Sequence, residues 1–192
     1  MHAAAARTSG PIDELTLKRA QRGDQRAWRD LIDRYEQPVH ALIYRLLAGR
    51  ARHRAPDLTQ ETFVRVLRAL PRFDPGGPAT LKTWILTIAT RLTLNEMRRP
   101  DPVALESEPQ GGDRADANAE RARLGAAIAA GVGALPDGQR AVFVLREYHD
   151  LDYAEIAGVL ELDVGTVKSR LSRARVALRE YLVAALPELG GR

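Results

Sequence analysis

The stretch YAEIAGVLELDVGTVKSRLSRARVALRE, Tyr153 to Glu180, decides how the rest of the chain is read. Its first part places Ile156, Ala157 and Leu160 on one helical stripe, with small Ala157 and Gly158 suited to close helix approach. ELDV, residues 161–164, is short enough to be a turn, and Asp163 or Thr166 can cap the second helix. From Val164 onward the chain reads as one helix carrying Lys168, Arg170, Arg173, Arg175 and Arg179 against a single acid, Glu180. Two helices joined by a tight turn, the second strongly basic, form the pattern of a helix-turn-helix.

At about 100° per residue, Val167, Leu171, Ala174 and Leu178 of the second helix gather on one side, which must face a core. Opposite lie Ser169, Ser172, Arg173 and Val176; Lys168 and Arg175 flank them on one edge, Thr166 and Arg170 on the other. Short hydroxyls between long cations suit a helix in the DNA major groove: serine and arginine reach base edges while the flanking cations neutralise phosphates. A solvated basic face is the competing reading for a lone helix, and the well-spaced partner helix outweighs it.

The remaining composition narrows the alternatives. The 192-residue chain is 45% apolar, sufficient for one sizeable domain or two small ones. Without cysteine it forms no disulfide or thiolate metal site, and its four histidines (His2, His40, His53 and His149) lack ligand spacing, so neither a metal nor a cofactor is expected. No nucleophile–base pair, paired-carboxylate site or phosphate-cradling glycine loop is present, and an enzyme is not expected. Met1–Gly10 lacks the apolar core of a signal peptide, and GAAIAAGVGAL (125–135) is too short and glycine-rich to cross a bilayer. A cytoplasmic protein without membrane insertion is therefore expected. A net charge of +4 permits a polyanionic partner.

Helical periodicity dominates and no strand alternation appears, so the fold class is all-α. After a disordered tail (residues 1–10), PIDELTLKRAQRG starts a helix with Pro11 near its first turn and Gly23 as its stop. Asp24 caps the next helix, with Ala27, Trp28, Leu31, Ile32 and Tyr35 on its stripe; Pro38 restarts the chain, and VHALIYRLLAG ends at Gly49. In Asp57–Leu70, Asp57 and Gln60 resemble a capping box, and Leu58, Phe63, Val66, Leu67 and Leu70 form the buried stripe. After the loop PRFDPGGPAT, Leu81, Trp84, Ile85, Ile88 and Leu92 mark a long amphipathic helix, with Trp84 on the core side. Residues 101–118 mix Pro, Gly and acids (Asp101, Glu106, Glu108, Asp113, Asp116) with one base, Arg114, and read as a flexible acidic linker. Helices resume over 119–135, 136–149 and 152–160. The organisation is two small helical domains, 11–100 and 119–187, joined by that linker, with the helix-turn-helix in the second.

LPDGQRAVFVLREYHDLDYAEIAGVLELDVGTVKSRLSRARVALRE (135–180) resembles region 4 of bacterial sigma factors of the extracytoplasmic function (ECF) type, in the sigma-70 family. DLTQETFVRVLRALPRFDP (57–75) followed by LKTWILTIATRLTLNEMRR (81–99) resembles their region 2, so the likeness spans about Ile12–Leu182. It implies a subunit that binds core RNA polymerase, directs it to promoter DNA and helps melt it, held in check by an anti-sigma factor. The resemblance assigns the −35 element to the basic helix, with the family's base-contact positions falling on Lys168, Ser169, Ser172 and Arg173; Thr166, Arg170 and Arg175, on the edges of the same outward face, complete the expected DNA-binding set. It assigns the −10 element to Thr87, Arg91, Asn95 and Arg98, with the loop 74–80 beside them, and docking on the clamp helices of the largest polymerase subunit to Asp57, Gln60, Glu61 and Arg65. IATR (88–91) departs from the family's usual IARN or IAVN, so Arg91 stands where an asparagine associated with flipped-base recognition is common. A stand-alone helix-turn-helix repressor is the alternative; it would bind duplex promoter DNA tightly without polymerase.

Overall fold

The computed structural model describes residues 12–48, 51–98 and 117–187. The first 11 residues, Gly49 and the acidic segment as far as residue 116 lie outside the described residues. Four helices precede that segment: α1 (Glu14–Gln21), α2 (Gln25–Leu47), α3 (Ala55–Ala69) and α4 (Leu81–Met97). Four lie beyond it: α5 (Ala117–Ala134), α6 (Asp137–Glu147), α7 (Tyr153–Leu160) and α8 (Val164–Ala185). No strand occurs among the described residues, as the all-α reading expects.

Local chemistry sets several boundaries. Asp13 and Asp24 cap α1 and α2, their carboxylates accepting the N–H groups of Thr16 and Ala27, each at 2.9 Å. Gly23 between them adopts φ +86°, a left-handed turn that only glycine makes without strain. Thr80 caps α4 by accepting from the Thr83 N–H.

Pro38 does not restart the chain. It cannot donate an intrahelical bond, yet α2 runs through it unbroken. Leu31, Tyr35, Val39, Leu42 and Leu46 form one buried stripe across the proline, and their packing on α3 and α4 outweighs its local cost. Nor is Asp57 a cap. α3 begins two residues earlier, at Ala55 with Pro56 in its first turn, so Asp57 sits inside that turn and the expected capping box does not form. Its charge still suits the positive end of the helix dipole. Leu67 is 45% exposed rather than buried: the packed face of α3 runs along Ala55, Leu58, Thr59, Thr62, Phe63 and Val66, and at about 100° per residue position 67 falls past its edge.

In the first half, α2 packs against α1, α3 and α4; in the second, α8 packs against α5, α6 and α7. Close approach in the second half occurs at Gly131, not Gly158. A Cβ on Gly131 would lie 2.6 Å from Leu178 Cδ1, whereas one on Gly158 would meet nothing within 4 Å. The halves touch along α4 and α7, and where α2 meets α5 and α6, so one apolar core runs through both.

At that junction the Arg140 guanidinium is 3% exposed. It donates to the carbonyls of Val132, Gly133 and Leu135 at the end of α5, and to Leu46 O at the end of α2, 2.8 Å away. Asp137 Oδ1 lies 3.3 Å from it. One cation thus answers the negative ends of two helices from different halves of the chain.

Candidate nucleic-acid interface

The helix-turn-helix is built by two caps. Asp152 accepts from the Glu155 N–H at 2.8 Å while Glu155 Oε2 accepts from the Asp152 N–H at 2.9 Å, a reciprocal capping box opening α7. Asp163 caps α8, its carboxylate accepting both the hydroxyl and the N–H of Thr166, each at 2.6 Å. Those bonds, the hydroxyl's first, hold the Asp163 pKa below the usual carboxylate value. Between the helices Glu161 takes φ +56°, a left-handed position.

Val167, Leu171, Ala174 and Leu178 are buried and orient α8, as the helical wheel expects. Lys168, Ser172, Arg173, Arg175 and Val176 face solvent; Thr166, Ser169 and Arg170 are half-buried. The outward side chains are pre-arranged. Arg173 donates to Ser169 Oγ at 3.2 Å, and Ser169 to the Thr166 carbonyl at 3.0 Å. Arg175 is held by Glu147 at 2.6 Å, which aims its guanidinium along the edge of the face. Arg170 lies over Gly138 at the start of α6, where a Cβ would stand 2.9 Å from its Nη1.

Two further residues join this surface that sequence reasoning did not select. The Tyr153 ring lies between the Arg146 guanidinium at 5.3 Å and the Lys168 ammonium at 5.7 Å. Arg146 is tied down by the Leu151 carbonyl at 2.9 Å. Neither has a local sequence signal, because the aromatic–cation cluster is assembled from three helices.

On α4, Thr83, Thr87 and Arg91 recur every four residues along one face. Thr87 is half-buried, its hydroxyl donating to Thr83 O, while Arg91, Asn95 and Arg98 are exposed, with Arg98 Nη1 3.4 Å from Asn95 Oδ1. Trp84 is partly buried against Phe73, ring centroids 5.0 Å apart, in keeping with a core role. On α3, Asp57, Gln60, Glu61 and Arg65 are all exposed, and Glu61 pairs with Arg65 at 2.6 Å. Among them stand Val64 and Leu67, each 45% exposed, which the sequence did not single out for this surface.

Among the described residues no cluster of three or more His, Asp or Glu could hold a metal, and no helix is long and apolar enough to cross a membrane.

Residues 31–101 match the family model for sigma-70 region 2, and residues 126–178 match that for sigma-70 region 4. The chain is 39% identical to the ECF RNA polymerase sigma factor SigE of Mycolicibacterium smegmatis, over 83% of this chain and 64% of that protein. It thus spans just under two thirds of that relative's length. It is 32% identical to the ECF RNA polymerase sigma factor SigW of Bacillus subtilis, over 86% of this chain and 94% of that one. Among solved structures it is similar to CnrH in complex with the cytosolic domain of CnrY, at 30% identity and TM-score 0.64, covering 90% of this chain and 97% of that one.

Proposed function

Because the chain belongs to the ECF sigma factors of the sigma-70 family, the specificity subunits of RNA polymerase that direct promoter-specific transcription, we propose that α8 reads the −35 element and α4 the −10 element. The observation that carries this is the sorting of α8: four apolar residues are buried, and Ser172 and Arg173 stand outward between Lys168 and Arg175. Ser169, Ser172 and Arg173 contact base edges, while Thr166, Lys168, Arg170 and Arg175 lie toward the phosphates, joined by Arg146 beside Tyr153. Thr87, Arg91, Asn95 and Arg98 run alongside the −10 strand, where capture of unstacked bases assists melting at a few kcal/mol per base.

The α3 face with Asp57, Gln60, Glu61 and Arg65 docks on core RNA polymerase, with Val64 and Leu67 as its apolar centre. CnrH is held by the cytosolic domain of CnrY; by that likeness this chain takes an anti-sigma factor as a protein partner. Its working place alongside polymerase is the cytoplasm.

Run-off transcription with purified core polymerase tests the reading. Arg173→Ala is expected to weaken initiation by about 1–3 kcal/mol, selectively at promoters carrying the cognate −35 sequence. An equal loss on templates with a scrambled −35 element would sink the base-contact role. Duplex promoter binding by the chain alone, as tight as with polymerase, would favour a free-standing repressor instead. On α3, Val64→Asp is expected to weaken binding to core polymerase about tenfold, since a charge then enters the apolar centre of the interface. A fluorescence titration of labelled protein against core enzyme reads it.

A further inference from the structure

The loop 74–80, which leads into α4, is tied at its start by a side chain from a helix far away in sequence. Gln21 closes α1 and is half-buried. Its Nε2 donates to the Phe73 carbonyl at 2.7 Å and to the Leu70 carbonyl at 3.1 Å, across 52 and 49 positions of sequence. An amide nitrogen carries two hydrogens, one for each oxygen. Leu70–Arg72 is a single 3₁₀ turn after α3, and Phe73 leaves it in an extended conformation, ψ 126°. The Phe73 carbonyl thus lies outside that turn's ladder and takes its hydrogen from Gln21. α1 is itself held: Leu17 and Ala20 are buried, and the Arg19 guanidinium grips Asp24, the cap of α2, at 2.9 Å. The match to region 2 begins at residue 31, so α1 lies outside it.

Beyond Phe73 the loop sets its own shape. Asp74 Oδ1 accepts the Gly76 N–H at 2.9 Å, and the Asp74 carbonyl accepts the Gly77 N–H at 3.1 Å. A Cβ on Gly77 would stand 3.1 Å from that same carbonyl oxygen, so the turn is as tight as glycine allows. At the far end Thr80 caps α4, and the Phe73 ring lies against Trp84 of α4, centroids 5.0 Å apart. Asp74, Pro75, Gly76, Pro78 and Thr80 are exposed. A compact turn hung on two posts presents its tip in one direction only while both posts hold. Thr80 is one post, and Gln21 is the other.

We propose that Gln21 is a positioning residue for −10 recognition: it fixes the start of the loop 74–80, so that the loop and the exposed face of α4 meet the bases of the open strand in one orientation. This rests on the reading of α4 and its loop as the −10 reader. Gln21 acts through Phe73, not by touching DNA. Loss of its two bonds frees the loop's first residue while the Asp74 turn and the Thr80 cap persist. Selective contacts need geometry held within about 0.5 Å, so a loose post weakens discrimination between sequences before it weakens binding of nucleic acid in general.

Holoenzyme assembled from core RNA polymerase and the full-length chain tests this with Gln21→Leu, which keeps the bulk of the side chain and removes its donor. Hydrogen exchange of the segment 74–80 is expected to quicken about tenfold in the variant, with α3 and the body of α4 unchanged. Two fluorescent single strands are then compared by anisotropy: the non-template −10 strand of a promoter from which the holoenzyme initiates, and the same strand scrambled. The ratio of the two affinities is expected to fall about three- to tenfold in Gln21→Leu, while binding to core polymerase stays at its wild-type value. Unchanged exchange in Gln21→Leu would overturn the positioning role. Faster exchange with an undiminished ratio would overturn its part in recognition. An equal loss on both strands and on core binding would overturn it too, leaving Gln21 a residue of general stability. A wild-type holoenzyme that binds the two strands equally would instead overturn the −10 reading on which the proposal rests.

Discussion

Arg140→Ala is expected to destabilise the full-length chain by about 3–5 kcal/mol, the range for removing one partner from a buried charged network. The guanidinium is 3% exposed and is shared among the carbonyls of Leu46, Val132, Gly133 and Leu135. Truncation removes this donor from all four oxygens; Val132 O still accepts the Leu135 N–H at 3.3 Å, while each buried group left unmet costs about 1–3 kcal/mol. Arg140→Lys keeps the charge but replaces a planar fork by a point donor, so it should recover only part of the loss. Urea denaturation of the two variants measures both. A loss below about 1 kcal/mol for alanine would mean that water enters and satisfies the carbonyls. The Leu46 bond also crosses between the halves, so Arg140→Ala should loosen their contact as well as the second half.

Acidification from pH 7 to pH 4 is expected to cost about 3 kcal/mol through His149 alone. Its ring is 4% exposed. Burial, together with the positive charges of Lys82 and Arg45 and only partly offset by Asp150, pushes its pKa from 6.5 down to about 4. The folded chain therefore keeps the imidazole neutral while the unfolded chain binds a proton below pH 6.5. Stability from this source is complete above pH 6.5 and is lost as pH falls from there toward 4. The capping carboxylates of Asp13, Asp24 and Asp163, also held low, begin to matter only near and below their ordinary value of 3.8. Denaturation midpoints for the wild type and His149→Gln, measured from pH 7.5 to 4, separate the two effects. The variant's profile should be flat from 6.5 to about 4.5. A slope unchanged by His149→Gln would assign the acid sensitivity elsewhere. Lys82 and Arg45 come from α4 and α2, so the depressed pKa is itself a product of contact between the halves.

Local signals in the chain held up well. Asp24 and Asp163 are caps, and the spacing of Val167, Leu171, Ala174 and Leu178 turned α8 to the side found in the fold. Where local reasoning failed, packing outweighed a local rule. Pro38 lies inside α2 because buried side chains continue on both sides of it, and Asp57 lost its cap because the helix found a start at Ala55 and Pro56. Gly158 has the composition of a close-contact residue, but Gly131 is the one against which Leu178 and Tyr181 press. Sequence spacing shows which residues share a face, not which neighbour arrives there.

Alone, then, the sequence determined the helices, the turn of the helix-turn-helix, and the outward Ser172 and Arg173, because periodicity and capping act within a few residues. Only the tertiary structure decided the Tyr153 cluster with Arg146 and Lys168, the burial of Arg140 beneath two helix ends, and the seating of Glu161 on Arg91. These join residues 5 to 94 positions apart in the chain, from Leu135–Arg140 to Leu46–Arg140. Their energies depend on desolvation and on which charges the fold brings together, and neither is encoded in the order of neighbouring residues.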